Sequence, residues 1–255
     1  MKFGVCIGED LSRIQPAKQM GFDYIESCFP FVATSSDEVF ENFCNVLESN
    51  DIKCEAVNLF MPGSLPIVGD EIDYDAINEY LEKGFSRGAK IGLKSIVFGS
   101  GGSRGIKNGY NFSKACQQIS YFLKEIVAPY CEKYKITVAI EPLNYDDCNI
   151  LNTVKECVQM SSTADCEYIK GLVDLFHFCK MNEGIHLLND LKGCIYHAHI
   201  AEPVKRIYPM DKNAYDYKKF IDILEEIGCE RCSIEADTFE FEKEGKLAID
   251  MLRSL

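Results

Sequence analysis

Short apolar runs alternate with longer amphipathic segments along the whole chain. Eight of the short runs have the length and β-branched character of strands, and they cover residues 3–7, 24–27, 53–58, 95–98, 136–141, 169–174, 194–200 and 232–236. The longer segments carry apolar residues at helical spacing, and they cover residues 37–49, 74–90, 113–133, 154–161, 215–227 and 240–255. Polar residues that favour helix starts precede two of them, at residues 35–37 and 152–153.

Strands that alternate with helices predict right-handed βαβ units and a parallel sheet. Eight such units in 255 residues favour an α/β fold of the (β/α)8 TIM-barrel type over an open, doubly wound sheet. The first strand is not followed by the glycine fingerprint of a dinucleotide-binding fold, because Gly8 precedes Glu9 and Asp10. Composition does not break anywhere along the chain, so residues 1–255 are predicted to form one barrel domain.

The charge balance is acidic, with 40 Asp and Glu against 27 Lys and Arg and a formal net charge of -13. This sign repels phosphates and argues against nucleic acid as a partner. The 13 cysteines are odd in number and lie mostly in apolar runs, so we interpret them as reduced thiols in a reducing compartment. The chain opens directly into a strand and contains no run of about 18 apolar residues. We therefore expect a soluble, cytoplasmic protein without a membrane segment.

Titratable side chains close the last four predicted strands: Glu141, Asp174, His199 and Glu235. The active site of such a barrel lies at this end of the strands. A single acid there usually caps a helix or faces solvent, but four on consecutive strands would be costly to bury together without compensation. A divalent cation compensates, and three carboxylates with one imidazole suit Mn2+, Mg2+ or Co2+, with Zn2+ as an alternative.

Two further histidines have structural interpretations. His197 lies two residues before His199, so the strand period places both imidazoles on one face, with His197 one layer deeper in the barrel. His186 is expected on an amphipathic helix without a catalytic role.

Around these strand ends the sequence resembles the xylose isomerase-like barrel superfamily of sugar isomerases and epimerases. The nearer branch is that of D-tagatose 3-epimerase and related sugar-phosphate isomerases and epimerases. The segments that carry the resemblance span the third to the last strand, and they are Asn58, residues 97–104, 139–144, 151–153, 173–177, 198–206 and 233–235. Each segment alone is weakly specific, whereas their order and spacing together are specific.

The resemblance implies a ligand set and a division of labour. Glu141, Asp174, His199 and Glu235 would hold the metal, and Glu141 and Glu235 would also be the catalytic acid and base on opposite faces of the substrate. The substrate-binding residues would be His177, Arg206, Asn58 and Asp147. Asp147 stands where those epimerases usually have a glutamate, and at the following loop either Lys205 or Arg206 could reach the substrate.

The implied function is a divalent-metal-dependent epimerase or isomerase of a ketose or sugar phosphate. A carboxylate removes the proton next to the carbonyl, and the cation stabilises the resulting enediolate. Return of the proton to the opposite face gives epimerisation, and return to the neighbouring carbon gives isomerisation. A small-molecule sugar is therefore the expected partner, and a homodimer through the outer helices is a hypothesis.

Other functions fit parts of the pattern. An inosose-type dehydratase would use the same metal site. A non-catalytic barrel that only binds a sugar or polyol is a further alternative, but the pair Glu141 and Glu235 argues against it, because binding alone does not require two opposed bases. Endonuclease IV, of the same superfamily, needs additional histidines after the third and fourth strands, where this chain has Asn58 and Phe98-Gly99. The turn from Gly99 to Arg104 is expected to be a flexible loop over the barrel mouth, and the alternative is a phosphate-binding nest of backbone N–H groups aided by Arg104.

Overall fold

The computed structural model describes residues 1–255 and contains eight strands in one parallel sheet. Strands pair in chain order, and the last strand pairs with the first, so the sheet closes into a barrel. The strands are β1 (Lys2–Gly8), β2 (Tyr24–Cys28), β3 (Lys53–Asn58), β4 (Ser95–Phe98), β5 (Thr137–Ile140), β6 (Ile169–Asp174), β7 (Ile195–Ile200) and β8 (Arg231–Ile234).

Helices connect successive strands and follow the last one, and they are α1 (Ile14–Met20), α2 (Phe29–Thr34), α3 (Asp37–Ser49), α4 (Tyr74–Ile91), α5 (Gly101–Arg104), α6 (Phe112–Tyr121), α7 (Ala128–Tyr134), α8 (Val154–Thr163), α9 (Leu175–Lys180), α10 (Tyr217–Glu226) and α11 (Phe241–Arg253). A π-helical segment, Phe122–Val127, joins α6 to α7, and 3-10 turns lie at Leu11–Arg13 and Ile185–Leu191. The predicted (β/α)8 TIM barrel is confirmed.

The sequence pattern located the long elements well and the short helices poorly. The observed bounds of β3, β4, β6 and α3 are those predicted, whereas α1, α2, α5 and α9 were not predicted. These four helices have four to seven residues, which is too short for apolar spacing to repeat over several turns. The predicted helix 113–133 is interrupted by the π-helical segment, and the helix predicted at His186 is a 3-10 helix, Ile185–Leu191.

Two helix starts fall among the predicted capping residues. The side chain of Ser36 accepts a hydrogen bond from the backbone N–H of Val39 at the start of α3. At the start of α8, Thr153 and Glu156 form a reciprocal capping box. These caps satisfy backbone donors that a helix cannot satisfy itself, which fixes where each helix begins.

The main apolar core comprises 70 buried residues. In β4, Ile96 and Phe98 belong to this core under the helices, so the alternate residue Val97 faces the barrel interior. Val97 packs there with Ala139 and Leu172 in a separate small cluster. No helix of the structure is both long and apolar enough to cross a membrane.

All 13 cysteines are unpaired, and seven of them are buried. Cys229 and Cys232 have the Cys-x-x-Cys spacing of redox and metal sites, but they are only 2% and 0% exposed in the apolar core at the start of β8. Burial is the largest influence on both thiols and raises their pKa values. These cysteines therefore pack as small apolar side chains.

Candidate metal centre and active site

The four titratable strand-end residues meet at one point in the barrel mouth. Glu141 and Glu235 directly follow β5 and β8, Asp174 ends β6, and His199 lies near the end of β7. One ligand atom from each lies within 4.8 Å of those of the other three. His199 Nδ1 is 3.1 Å from Glu141 Oε1, 3.2 Å from Glu235 Oε2 and 3.8 Å from Asp174 Oδ2. The structure thus brings all four predicted ligands together.

Three carboxylates packed this closely disturb one another's protonation. Burial, reinforced by the charge of Glu235, raises the pKa of Asp174 to about 6. The same two causes raise the pKa of Glu141. Burial alone would also raise the pKa of Glu235, but His199 and Arg206 lower it to about 2. Glu235 is therefore ionised, and the ionisation of Glu141 and Asp174 beside it is unfavourable unless positive charge is added.

Asp174 offers the clearest sign that a cation fits here. Its Oδ1 accepts the backbone N–H of His177 at 2.8 Å, which caps α9. Its Oδ2 is buried beside the other ligand atoms and has no hydrogen-bond partner. An unpaired buried carboxylate oxygen is costly, and a divalent cation would satisfy it. Three carboxylates and one imidazole are a donor set for Mn2+, Mg2+ or Co2+, and Zn2+ also accepts such ligands.

Both carboxylate oxygens of Glu235 accept hydrogen bonds from polar side chains, one at the end of β3 and one in the loop after β7. Asn58 Nδ2 donates to Oε1 at 2.8 Å, and a guanidinium N–H of Arg206 donates to Oε2 at 3.0 Å. The Arg206 guanidinium also lies 5.0 Å from the ring centre of Phe176. Lys205 is exposed, whereas Arg206 lines the cavity above the four ligands, so of the two predicted candidates Arg206 is the one placed at the site.

His177 is fixed as a hydrogen-bond donor toward the cavity. Its Nδ1 receives the backbone N–H of Asn144 at 3.2 Å and the side-chain amide of Asn144 at 2.8 Å. Two donors on Nδ1 place the imidazole proton on Nε2. Burial is the largest influence on the pKa of His177 and lowers it, so the ring is a neutral donor. Asp147 accepts the same Asn144 amide at 2.7 Å and so supports this arrangement.

A cavity of about 490 Å³ opens at the metal centre, where Glu141 and Glu235 form part of its wall. It is lined by every residue predicted to be catalytic or substrate-binding: Glu141, Glu235, His177, Arg206, Asn58 and Asp147. A site of this size suits a small molecule. The six residues that were predicted from the sequence therefore line one cavity in the structure.

The turn after β4 forms another wall of this cavity and corrects one prediction. Residues Gly101–Arg104 form a short helix, and Ser100 Oγ accepts the backbone N–H of Met61 at 2.9 Å, so the turn is packed and not a free loop. Arg104 is 0% exposed, and its guanidinium donates to the carbonyls of Phe98 and Glu141 at 2.7 and 2.8 Å. The alternative in which Arg104 assists phosphate binding is therefore wrong.

The family assignment follows from sequence comparison. A family model described as the xylose isomerase-like TIM barrel matches residues 14–255. The chain belongs to this family. No curated protein sequence matches the chain.

Solved structures of other proteins superpose on this xylose isomerase-like barrel over its full length. The 3-keto-D-glucoside 4-epimerase YcjR from E. coli has a TM-score of 0.83 and 16% identity, with 100% of both chains covered. D-psicose 3-epimerase from Clostridium cellulolyticum H10, solved with D-tagatose, has a TM-score of 0.83 and 16% identity, with 100% of this chain and 99% of that chain covered. The IOLI protein with a bound zinc atom has a TM-score of 0.74 and 18% identity, again with 100% and 99% covered. Identities this low show a shared fold.

One buried acid of this xylose isomerase-like barrel was not singled out from its sequence. Glu26 lies in β2 with 0% exposure, and its two oxygens lie 2.9 Å from His199 Nε2 and 3.0 Å from His197 Nε2. A usable signal existed, because an acid in the middle of the short apolar strand Tyr-Ile-Glu-Ser-Cys needs a buried partner. His197 lies below His199, as the strand period predicts.

Proposed function

We propose that this chain is a divalent-metal-dependent sugar epimerase or isomerase, with Glu141, Asp174, His199 and Glu235 as the metal ligands. The observation that carries the proposal is the convergence of these four side chains around the unpartnered Oδ2 of Asp174, beside a cavity of about 490 Å³ that Glu141 and Glu235 line. A bound divalent cation would act as a Lewis acid toward neighbouring oxygen atoms of a ketose. The named epimerases and the zinc-containing protein of the same fold support this choice.

Glu141 and Glu235 are assigned as the acid and base of the proton transfer. Their environments push their pKa values in opposite directions, up for Glu141 and down to about 2 for Glu235. Both carboxyl groups line the cavity in which a substrate would lie, so each can exchange a proton with it. Asn58 and Arg206 fix the orientation of Glu235. His177 would donate its Nε2–H to a substrate oxygen as a neutral electrophile.

The substrate is proposed to be an uncharged sugar and not a sugar phosphate. Arg206 is the only Lys or Arg among the cavity-lining residues, and it is already paired with Glu235 at 3.0 Å. Arg104 is buried with its guanidinium on backbone carbonyls. Three acids, Glu141, Glu235 and Asp147, line the same cavity. This balance of charge disfavours a phosphate dianion.

Proton exchange in D2O, followed by NMR on free and phosphorylated ketoses with added Mn2+, tests the proposal. Exchange at one hydroxyl-bearing carbon with inversion identifies an epimerase, and migration of the carbonyl identifies an isomerase. Glu235→Gln should abolish both. Absence of exchange with every sugar in the presence of metal would contradict the proposal, and elimination of water would identify a dehydratase instead. A preference for phosphorylated sugars would contradict the proposed substrate class.

A further inference from the structure

Glu26 is a buried carboxylate whose hydrogen-bond partners are two imidazoles. Its Oε1 lies 2.9 Å from His199 Nε2, and its Oε2 lies 3.0 Å from His197 Nε2. All three side chains are 0% exposed. No Lys or Arg forms an ion pair with Glu26, although Glu55, one strand away, has two. The partners of Glu26 therefore connect it to the metal centre.

The contact with Glu26 decides which nitrogen of His199 faces the other three ligands. A carboxylate only accepts hydrogen bonds, so the contact requires a proton on Nε2. Nδ1 points at Glu141, Glu235 and Asp174, at 3.1, 3.2 and 3.8 Å, and the proton that it shares with Glu141 without metal is the one that a bound cation would replace. A histidine that binds a metal must present an unprotonated nitrogen, and the hydrogen bond made by the other nitrogen sets which one that is.

Glu26 is itself held in place by a chain of buried polar groups. Ser233 Oγ lies 3.2 Å from His197 Nε2, and Tyr24 Oη lies 2.9 Å from Ser233 Oγ. His197, Ser233 and Tyr24 are all 0% exposed. Gly4 leaves room for the Tyr24 ring, since a Cβ at that position would overlap it. These contacts fix His197, and Glu26 cannot turn away from His199 without breaking its own contact with His197.

We propose that Glu26 is a positioning residue of the metal centre, which holds His199 with its proton on Nε2 and its Nδ1 directed at the ion. The inference rests on the proposed function, because it requires the metal site formed by Glu141, Asp174, His199 and Glu235. It adds a residue from β2, in the first half of the barrel, to a site whose ligands all come from the second half. Such partners of ligating histidines contribute roughly 10–100-fold to metal affinity or activity.

A competing arrangement exists in the same place. Cys6, Glu26 and His199 also offer ligand atoms within 4.8 Å of one another, so an ion could bind His199 through Nε2. In that case Glu26 would be a ligand and Cys6 would contribute its sulfur. The two arrangements differ in the histidine nitrogen that binds and in the effect of removing the thiol.

Mn2+ titration of the metal-free full-length protein, read by electron paramagnetic resonance, tests the inference. Glu26→Gln should weaken Mn2+ binding about 10–100-fold relative to the wild type. Glu55→Gln is the matched control, because it changes another buried acid of the barrel without touching the ligands, and its affinity should equal that of the wild type. Cys6→Ser should also leave the affinity unchanged.

A second measurement does not depend on the folding of any variant. Long-range 1H–15N NMR of the Zn2+-loaded wild type, which has only four histidines, should show His199 with Nε2 protonated and Nδ1 bound to the metal. Coordination through Nε2, loss of affinity in Cys6→Ser, or wild-type affinity in Glu26→Gln would each overturn the inference. Failure of the wild type to bind any metal would overturn the proposed function as well, and is thereby distinguished from failure of this inference alone.

Discussion

The two ends of the barrel interior treat buried charge in opposite ways. Near the amino ends of the strands, Glu55 is paired with Lys2 at 2.8 Å and with Arg231 at 2.7 Å. At the carboxyl ends, Glu141, Asp174 and Glu235 crowd around His199, and the one guanidinium that pairs with any of their carboxylates is that of Arg206, on Glu235. Each carboxylate oxygen of Glu55 has a cationic partner, whereas the three acids at the carboxyl ends have too few cationic partners to balance their charge.

The pKa values record this difference. Burial would raise the pKa of Glu55, but the hydrogen bonds from Lys2 and Arg231 lower it below its ordinary value. At the mouth, burial and neighbouring charge raise the pKa of Asp174 to about 6. The acid at the amino end is thus stabilised by its own ion pairs, whereas added positive charge would stabilise the acids at the mouth. Proteins commonly lose some folding stability at a binding site whose charges are balanced only by the ligand.

The largest expected effect comes from Asp174→Asn. Metal affinity should fall by more than the roughly 10–100-fold expected for partners of the ligands. The metal-free variant should nevertheless be more stable than the wild type at pH 7, by about 2–3 kcal/mol, because about 1.4 kcal/mol accompanies each pKa unit and the folded pKa lies near 6 against an ordinary 3.8. The asparagine oxygen can still accept the N–H of His177. Urea unfolding in EDTA measures the change.

The pH dependence of that difference provides its control. A carboxyl with a raised folded pKa imposes no cost below its unfolded pKa, where both states are protonated, and its full cost appears above the folded pKa. The advantage of Asp174→Asn should therefore be present at pH 7 and should disappear toward pH 4. A variant less stable than the wild type at pH 7 without metal would show that the mouth is not short of positive charge.

A smaller effect of opposite sign is expected for Glu55→Gln. Removal of one partner leaves Arg231, which is 9% exposed, without its carboxylate, and a broken buried pair costs about 3–5 kcal/mol. Since Lys2 is half-exposed and can return to solvent, we expect a loss of about 2 kcal/mol in the free energy of unfolding. Urea unfolding of the metal-free protein measures it. An unchanged or increased stability would remove the contrast between the two ends.

Much of the mouth could be predicted because its ligands close their strands. Asp174 and Glu235 stand at or directly after an apolar run, and in a parallel barrel all strands end at the same face, so the one-dimensional pattern fixes their common location. The barrel itself could be predicted for a similar reason, since eight alternating units need only their order. Neither inference requires knowledge of which side chains touch.

The interior partners could not be predicted in the same way. Glu26 meets His197 across 171 positions of sequence, and only closure of the barrel brings β2 opposite β7. Arg104 ends a glycine-rich turn, a pattern typical of phosphate binding, yet its guanidinium turns inward to the carbonyls of Phe98 and Glu141. The direction of a side chain depends on where partners become available, and that information lies in the packing and not in the local pattern.

The smallest expected effect separates charge from geometry at the mouth. Arg206→Lys keeps the single positive charge but loses the planar guanidinium that donates to Glu235 and lies over Phe176. Arg206 also adopts a left-handed backbone conformation with φ of 54°, which is uncommon for a side chain of this size and concentrates at functional sites.

If only the balance of charge mattered, Arg206→Lys would leave the kinetics unchanged. Because a lysine ammonium cannot reproduce the planar guanidinium that donates to Glu235 and lies over Phe176, we instead expect KM for the sugar to rise about 10-fold with a smaller change in kcat. Lys205→Ala, at the exposed neighbouring position, is the control and should change neither. Steady-state kinetics with saturating Mn2+ decide the question, and equal effects of the two substitutions would mean that the mouth needs positive charge nearby but no particular residue to supply it.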